Sequence, residues 1–221
     1  MRQTNHRSRG LVIAATAPEI KPFLELYRSQ NERFAGWDVL ISGPGLMATT
    51  FQLSNYISLK KPSAVIMAGI AGSFDPALKP GTVVAIKEDR VADEGVLEKT
   101  GWHSLEELGL RKKDQFPFKN GWLKNNSELL KKTSLKKCRA ISINQVSSQP
   151  GVIKRWQKHF DPAIESMEGA ALHYVCLLQN IPFLQLRAVS NQVGVRDKRK
   201  WNFKDSIANL NHELISLVER L

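Results

Sequence analysis

Cysteine is scarce: the 221 residues hold only Cys138 and Cys176. There is no C-x-x-C and no His/Cys cluster at metal-ligand spacing. This excludes a disulfide framework and a structural zinc site, and it fits a reducing compartment. No apolar run approaches the ~20 residues of a membrane-spanning helix. The phosphate-loop pattern G-x-x-x-x-G-K-[ST], the dinucleotide pattern G-x-G-x-x-G and the nucleophile elbow G-x-S-x-G are all missing. The usual nucleotide-binding signatures and Ser-His-Asp chemistry therefore have no support.

Acidic residues are also few, 21 against 32 Lys and Arg, for a net charge of +11. Much of the excess lies in 119–158, where ten Lys and Arg stand against Glu128 alone. These cations do not alternate with aromatics, and no nucleic-acid module signature accompanies them. A solvated basic face is the reading, with nucleic acid not expected as a partner. The N-terminal MRQTNHRSRG followed by LVIAATA has a basic start and a small-residue end. Its apolar stretch nevertheless sits at the bottom of the ~7–15 residues of a secretory h-region. It reads better as a basic arm (1–10) before a first strand, so one cytoplasmic domain is expected over 11–221.

Along that domain, strand and helix patterns alternate, as in an α/β fold. LVIAATA, WDVLIS, SAVIMAGIAG, GTVVAIKE, RAISINQV and IPFLQLRAVSN read as strands. SAVIMAGIAG is apolar throughout, as a strand buried on both faces would be. Helical patterns follow Pro18, Gly45 and Gly151, and a last one covers 204–221. The stretch 97–135 is polar and irregular. Candidate chemistry sits just after strand ends, where α/β folds place it. Glu19 follows the first strand, a Gly69/Gly72 turn follows the third, and Asn191 ends the last long one.

One carboxylate stands out. IESMEGAALHYVC (164–176) reads as a helix start with Ser166 at the N-cap, and with Met167, Ala170, Ala171, Tyr174 and Leu178 on one face. Glu168 then falls in the first turn. An acid there gains about 0.3–1 kcal/mol from the helix dipole, which is reason enough for its presence. Alternatively, its small neighbours let a ligand approach it closely. His173 on the same helix reads as a packed core residue.

Taken in order, Glu19, GPGLMATT, VIMAGIAGSF, L-K-P-G-T-V-V, SMEGAA and RAVSN resemble the purine nucleoside phosphorylase/nucleosidase superfamily from end to end. VADEGV and SNQVGVRDKRKW with SIANLN point within it to the futalosine hydrolase family. The resemblance implies a three-layer αβα domain around a central mixed sheet, no cofactor or metal, and a homo-oligomer. It implies an enzyme that cleaves futalosine to hypoxanthine and a sugar, in an alternative route to menaquinone. By the same resemblance, Glu19 positions and deprotonates water, Glu168 holds the ribose hydroxyls and Met167 lines the sugar pocket. Gly69, Ile70, Ala71 and Gly72 line the substrate site. Asn191 replaces the Asp of adenosine-type nucleosidases. Its amide, with one acceptor and two donors, suits N7–H and O6 of a 6-oxopurine. Arg196 or Arg199 is expected to face the substrate's carboxylate, with Trp201 over its ring. A methylthioadenosine/S-adenosylhomocysteine-type nucleosidase, a 6-oxopurine phosphorylase and a catalytically silent nucleic-acid-binding module stand as alternatives.

Overall fold

The computed structural model describes residues 9–99 and 101–221. Residues 1–8 of the expected arm lie outside the described residues. Its last two belong to the domain: Arg9 donates to Asp38 Oδ1 at 3.0 Å, and Gly10 opens the first strand.

The strands are β1 (Gly10–Ala14), β2 (Trp37–Ile41), β3 (Ala64–Ser73), β4 (Val83–Asp89), β5 (Gly95–Glu98) and β6 (Gly101–Ser104). After them come β7 (Leu123–Lys124), β8 (Lys137–Ser142), β9 (Ile164–Ser166) and β10 (Phe183–Gln192). The helices are α1 (Lys21–Ser29), α2 (Leu46–Lys60), α3 (Pro150–Phe160), α4 (Gly169–Leu178) and α5 (Phe203–Arg220). β5 and β6 form a separate ribbon inside the stretch whose polarity hides any pattern.

The main sheet is mixed. β10 runs parallel to β3 along its whole length and antiparallel to β4. β4 continues parallel to β8, and β8 to β9. β9 returns antiparallel to the top of β3, whose lower half pairs with β1 on that same edge. Five strands thus close on one another, and β1 and β2 extend the sheet below.

Both faces are covered, which explains strands without polar alternation. Val12, Ala14, Ile66, Ala68, Leu184 and Leu186 pack against α1 and α5 through Phe23, Leu210 and Leu214. Their sequence neighbours Leu11, Ile13, Val65 and Met67 pack on the other side against Leu53 and Ile57 of α2 and Leu172 and Val175 of α4. The expected three-layer αβα domain with a central mixed sheet is the one found. No helix among the described residues is long and apolar enough to cross a membrane.

Candidate active site

Two sequence expectations change at the site's centre. Ser166 is not an N-cap but the last residue of β9, and α4 begins at Gly169 with Glu168 itself at the N-cap position. The buried face of α4 is Ala170, Ala171, Leu172, Val175 and Cys176, whereas Tyr174 and Leu178 are exposed. Likewise Gly69 and Gly72 form no turn; both lie inside β3. They are glycines because side chains crowd them. A Cβ on Gly69 would overlap Arg187 Nη1 and stand 3.0 Å from Glu19 Oε1. One on Gly72 would stand 3.0 Å from Val193 Cγ2 and 3.7 Å from Asn191 Nδ2.

Glu168 makes no cap with its side chain. Its carboxylate turns away from α4. Oε1 accepts from Gly45 N–H at 3.1 Å, and Oε2 from Arg187 Nη2 at 3.2 Å. An ionised carboxylate offers about four acceptor positions. Glu168 therefore keeps one on each oxygen, and its residue is only 6% exposed. The favourable dipole position does not account for this arrangement; a buried acid with two unspent acceptors suits a pair of ligand hydroxyls.

Glu19 lies in a single 3-10 turn (Ala17–Ile20) directly after β1. Oε2 accepts from Thr16 N at 3.0 Å and Thr16 Oγ1 at 2.8 Å, while Oε1 accepts from Ile70 N at 3.1 Å. Three acceptor positions are filled and one remains on Oε1. Asn211 of α5 donates to the Glu19 carbonyl at 2.9 Å, tying this turn to the last helix.

Asn191 reaches the site through an irregularity. The β10–β3 register shifts between Val189 and Asn191, with Ser190 as the extra residue. Bulges of this kind re-aim side chains. Ser190 Oγ lies 2.8 Å from Asn191 Oδ1, and Asn191 Nδ2 donates to Gln192 O at 2.9 Å. The amide is held with one acceptor position and one N–H left over.

Glu19, Ile70, Ala71, Gly72, Met167, Glu168 and Asn191 line one cavity of about 270 Å³, with Arg196 and Trp201 at the same wall. Gly69 stands behind it, against Arg187 and Glu19. Arg196 lies with Cζ 5.6 Å from the Trp201 ring centre, and Trp201 Nε1 donates to Val195 O at 2.7 Å. Arg199, the other expected cation, does not line the cavity; its guanidinium bonds Asp197 in the exposed turn. Arg196 is the one cation among the described lining residues. No group of three His, Cys, Asp or Glu among the described residues is placed to hold a metal ion. Asp93 accepts from Asn144 N at 2.7 Å and so ties down the loop that carries Val146 and Ser147 to the cavity.

The profile of the Phosphorylase superfamily matches residues 11–221. The chain belongs to the Phosphorylase superfamily. It is 28% identical over 178 residues to the futalosine hydrolase of Thermus thermophilus, covering 79% of this chain and 78% of that one. It is 26% identical over 206 residues to the 5'-methylthioadenosine/S-adenosylhomocysteine nucleosidase of Buchnera aphidicola, covering 90% and 86%. Among solved structures, the native futalosine hydrolase of Helicobacter pylori superposes with a TM-score of 0.78 at 18% identity, over 98% of this chain and 100% of that one.

In this member of the Phosphorylase superfamily, His173 is the packed core residue expected, while Arg187, Asp89 and Gln185 beneath the cavity carry no motif that singles them out. Arg187, 1% exposed, pairs with Glu168. Asp89, Gln185 and His173, each 0% exposed, lie behind the start of α4. Ser142 Oγ links them to α4, donating to Asp89 Oδ1 at 3.0 Å and accepting from Ala170 N at 2.8 Å. The one available signal is a charge inside an apolar strand, Arg187 in FLQLRAVSN.

Burial pushes the Asp89 carboxyl up to about 7, opposed by the Ser142 hydrogen bond and the Arg187 charge. Burial pushes the His173 imidazole down to about 4. From about pH 4 to the ordinary His value of 6.5, the folded pair holds one proton, on Asp89. The unfolded pair also holds one, on His173, so their effects on stability cancel. His173→Gln leaves Asp89 alone, and stability then falls as pH rises from 4 toward 7, by up to about 1.4 kcal/mol per unit. Asp89→Asn leaves His173 alone, and stability then rises with pH between 4 and 6.5. Urea midpoints across this range check both; parallel curves for the three proteins would contradict the assignment.

Proposed function

We propose that this chain, an N-glycosyl hydrolase of the Phosphorylase superfamily, cleaves the N-glycosidic bond of futalosine with water and releases hypoxanthine. This is the step that the futalosine route to menaquinone requires. The observation that carries the reading is the unspent hydrogen-bonding capacity of three side chains around one cavity.

Breaking the bond leaves a cation-like ribose and a base gaining negative charge. Glu168, with two free acceptors, takes the two ribose hydroxyls through charge-assisted bonds about twice as strong as neutral ones. Its charge also favours the developing cation, and Met167 beside it offers a soft apolar surface. Glu19, with one free acceptor on Oε1, orients a water and takes its proton. Asn191 presents its acceptor to N7–H and its N–H to O6, a pairing that fits a 6-oxopurine and mismatches a 6-amino group. A phosphate nucleophile would meet the Glu19 charge, and the cavity wall offers it Arg196 alone. Arg196 is better placed for the carboxylate at the far end of futalosine, with Trp201 covering the ring. The resemblance to the Thermus thermophilus futalosine hydrolase supports the same substrate.

Self-association is part of the reading. α2 leaves Met47 and Phe51 86% and 66% exposed beside Pro44 at the cavity rim. A sedimentation coefficient at or above that of a dimer is expected, and a 24.9 kDa monomer at all concentrations would contradict it.

Substrate choice is tested by chromatography of the free base from futalosine, its 6-amino analogue, inosine and methylthioadenosine. Hypoxanthine from futalosine is expected as the fastest release. Adenine released fastest would transfer the assignment to the methylthioadenosine-type reaction.

A further inference from the structure

Thr16 lines the cavity beside Glu19, and none of the steps above uses its hydroxyl. It stands between β1 and the 3-10 turn, at the N-cap position of that turn. A threonine there needs no catalytic reason. With Glu19 three residues on, it forms a capping box, in which the carboxylate reaches back to the Thr16 N–H. The box does not require the bond that the hydroxyl makes. Thr16 Oγ1 donates to the same carboxylate oxygen, Oε2, at 2.8 Å.

The two bonds together fill Oε2, since a carboxylate oxygen has about two acceptor positions. Oε1 keeps one position beside its bond from Ile70 N on β3. Gly69, just before Ile70, puts no side chain over that oxygen; a Cβ there would stand 3.0 Å from it. The carboxylate is therefore held along one edge and open at one atom. Without the hydroxyl, each oxygen would have a free position and a water could sit on either. Rates are sensitive to such placement, and a shift of about 1 Å can cost about 10²-fold. With its hydrogen spent on Oε2, the hydroxyl also offers the cavity lone pairs only, which suit a water hydrogen and not a phosphate oxygen.

We propose that Thr16 is a positioning residue that closes Oε2 and so leaves Oε1 of Glu19 as the seat for the attacking water. This deepens the proposed function and rests on Glu19 as its base.

The test is a double-mutant cycle on turnover of the fastest-cleaved nucleoside, with Thr16→Val, Glu19→Gln and the two combined. Valine keeps the branched shape of threonine without the O–H. In Thr16→Val, kcat is expected to fall by about 10- to 100-fold, the range of a lost hydrogen bond to a charged group, with KM nearly unchanged. Thr16→Ala, which places no methyl against the carboxylate, should match it, and Thr16→Ser should restore most of kcat. In the Glu19→Gln background, Thr16→Val should cost no more than about twofold, because a residue that acts through Glu19 has nothing left to position. The full loss repeated in that background would make Thr16 a support of the turn or a substrate contact, and would overturn the assignment. So would near-normal kcat in both Thr16→Val and Thr16→Ala, or a raised KM with kcat kept. If Glu19→Gln itself turns over normally, the base assigned in the proposed function fails, and this inference with it.

Discussion

Glu19→Gln is expected to lower kcat on futalosine by about 10²- to 10⁴-fold, the contribution typical of a positioned base. KM should stay within a few-fold, because the free acceptor of Glu19 faces the nucleophile rather than the sugar or base. The geometry makes this a clean replacement for catalysis but not for stability. Both oxygens accept N–H groups, from Thr16 and Ile70. A Gln side chain must direct its NH2 at one of them, at a cost of about 1–3 kcal/mol. Thermal unfolding measured beside the kinetics separates the two effects. A variant that folds and turns over within threefold of wild type would remove Glu19 from the mechanism.

Asn191→Asp is expected to shift base preference by about 10²-fold in kcat/KM, away from the 6-oxo and toward the 6-amino analogue. The Asn191 amide donates to Gln192 O at 2.9 Å. An ionised Asp would face that carbonyl without a hydrogen, and would also repel O6 of the base. A protonated Asp could satisfy the carbonyl or donate to N7, which serves a 6-aminopurine. Sites built around a hydrogen bond can discriminate by several orders of magnitude, so a hundredfold change is within reach. Competition between futalosine and its 6-amino analogue in one reaction gives the ratio directly. An unchanged ratio would mean that Asn191 merely closes the bulge at Ser190.

The parts of this protein legible in its sequence are those governed by burial. LVIA, AVIMA and the start of β10 are apolar on both faces because helices cover both, and a continuous apolar run is what a buried strand looks like. β9 escapes the same reading. It has three residues, two of them polar, and it leads straight into α4, so helical spacing from Gly169 onward extends by coincidence back to Met167. Glu19, Glu168 and Asn191 are legible as motifs, and the cavity gathers them. His173 reads correctly as a packed core residue, but Arg187, Asp89 and Gln185 are not legible, because separate elements meet only through the closed five-strand pairing. The Gly69/Gly72 pair looks like a turn because glycine weakens strands. Here the guanidinium of Arg187 at Gly69 and the side chain of Val193 at Gly72 need the space.

In the proposed reaction water, not phosphate, attacks the sugar of futalosine at Glu19. Its most direct test follows futalosine consumption by purified protein in phosphate-free buffer and in saturating phosphate, with the sugar product identified by mass spectrometry. Hydrolysis gives the same rate in both, with hypoxanthine and the free sugar as products. A rate that requires phosphate, with a sugar 1-phosphate formed, would contradict it.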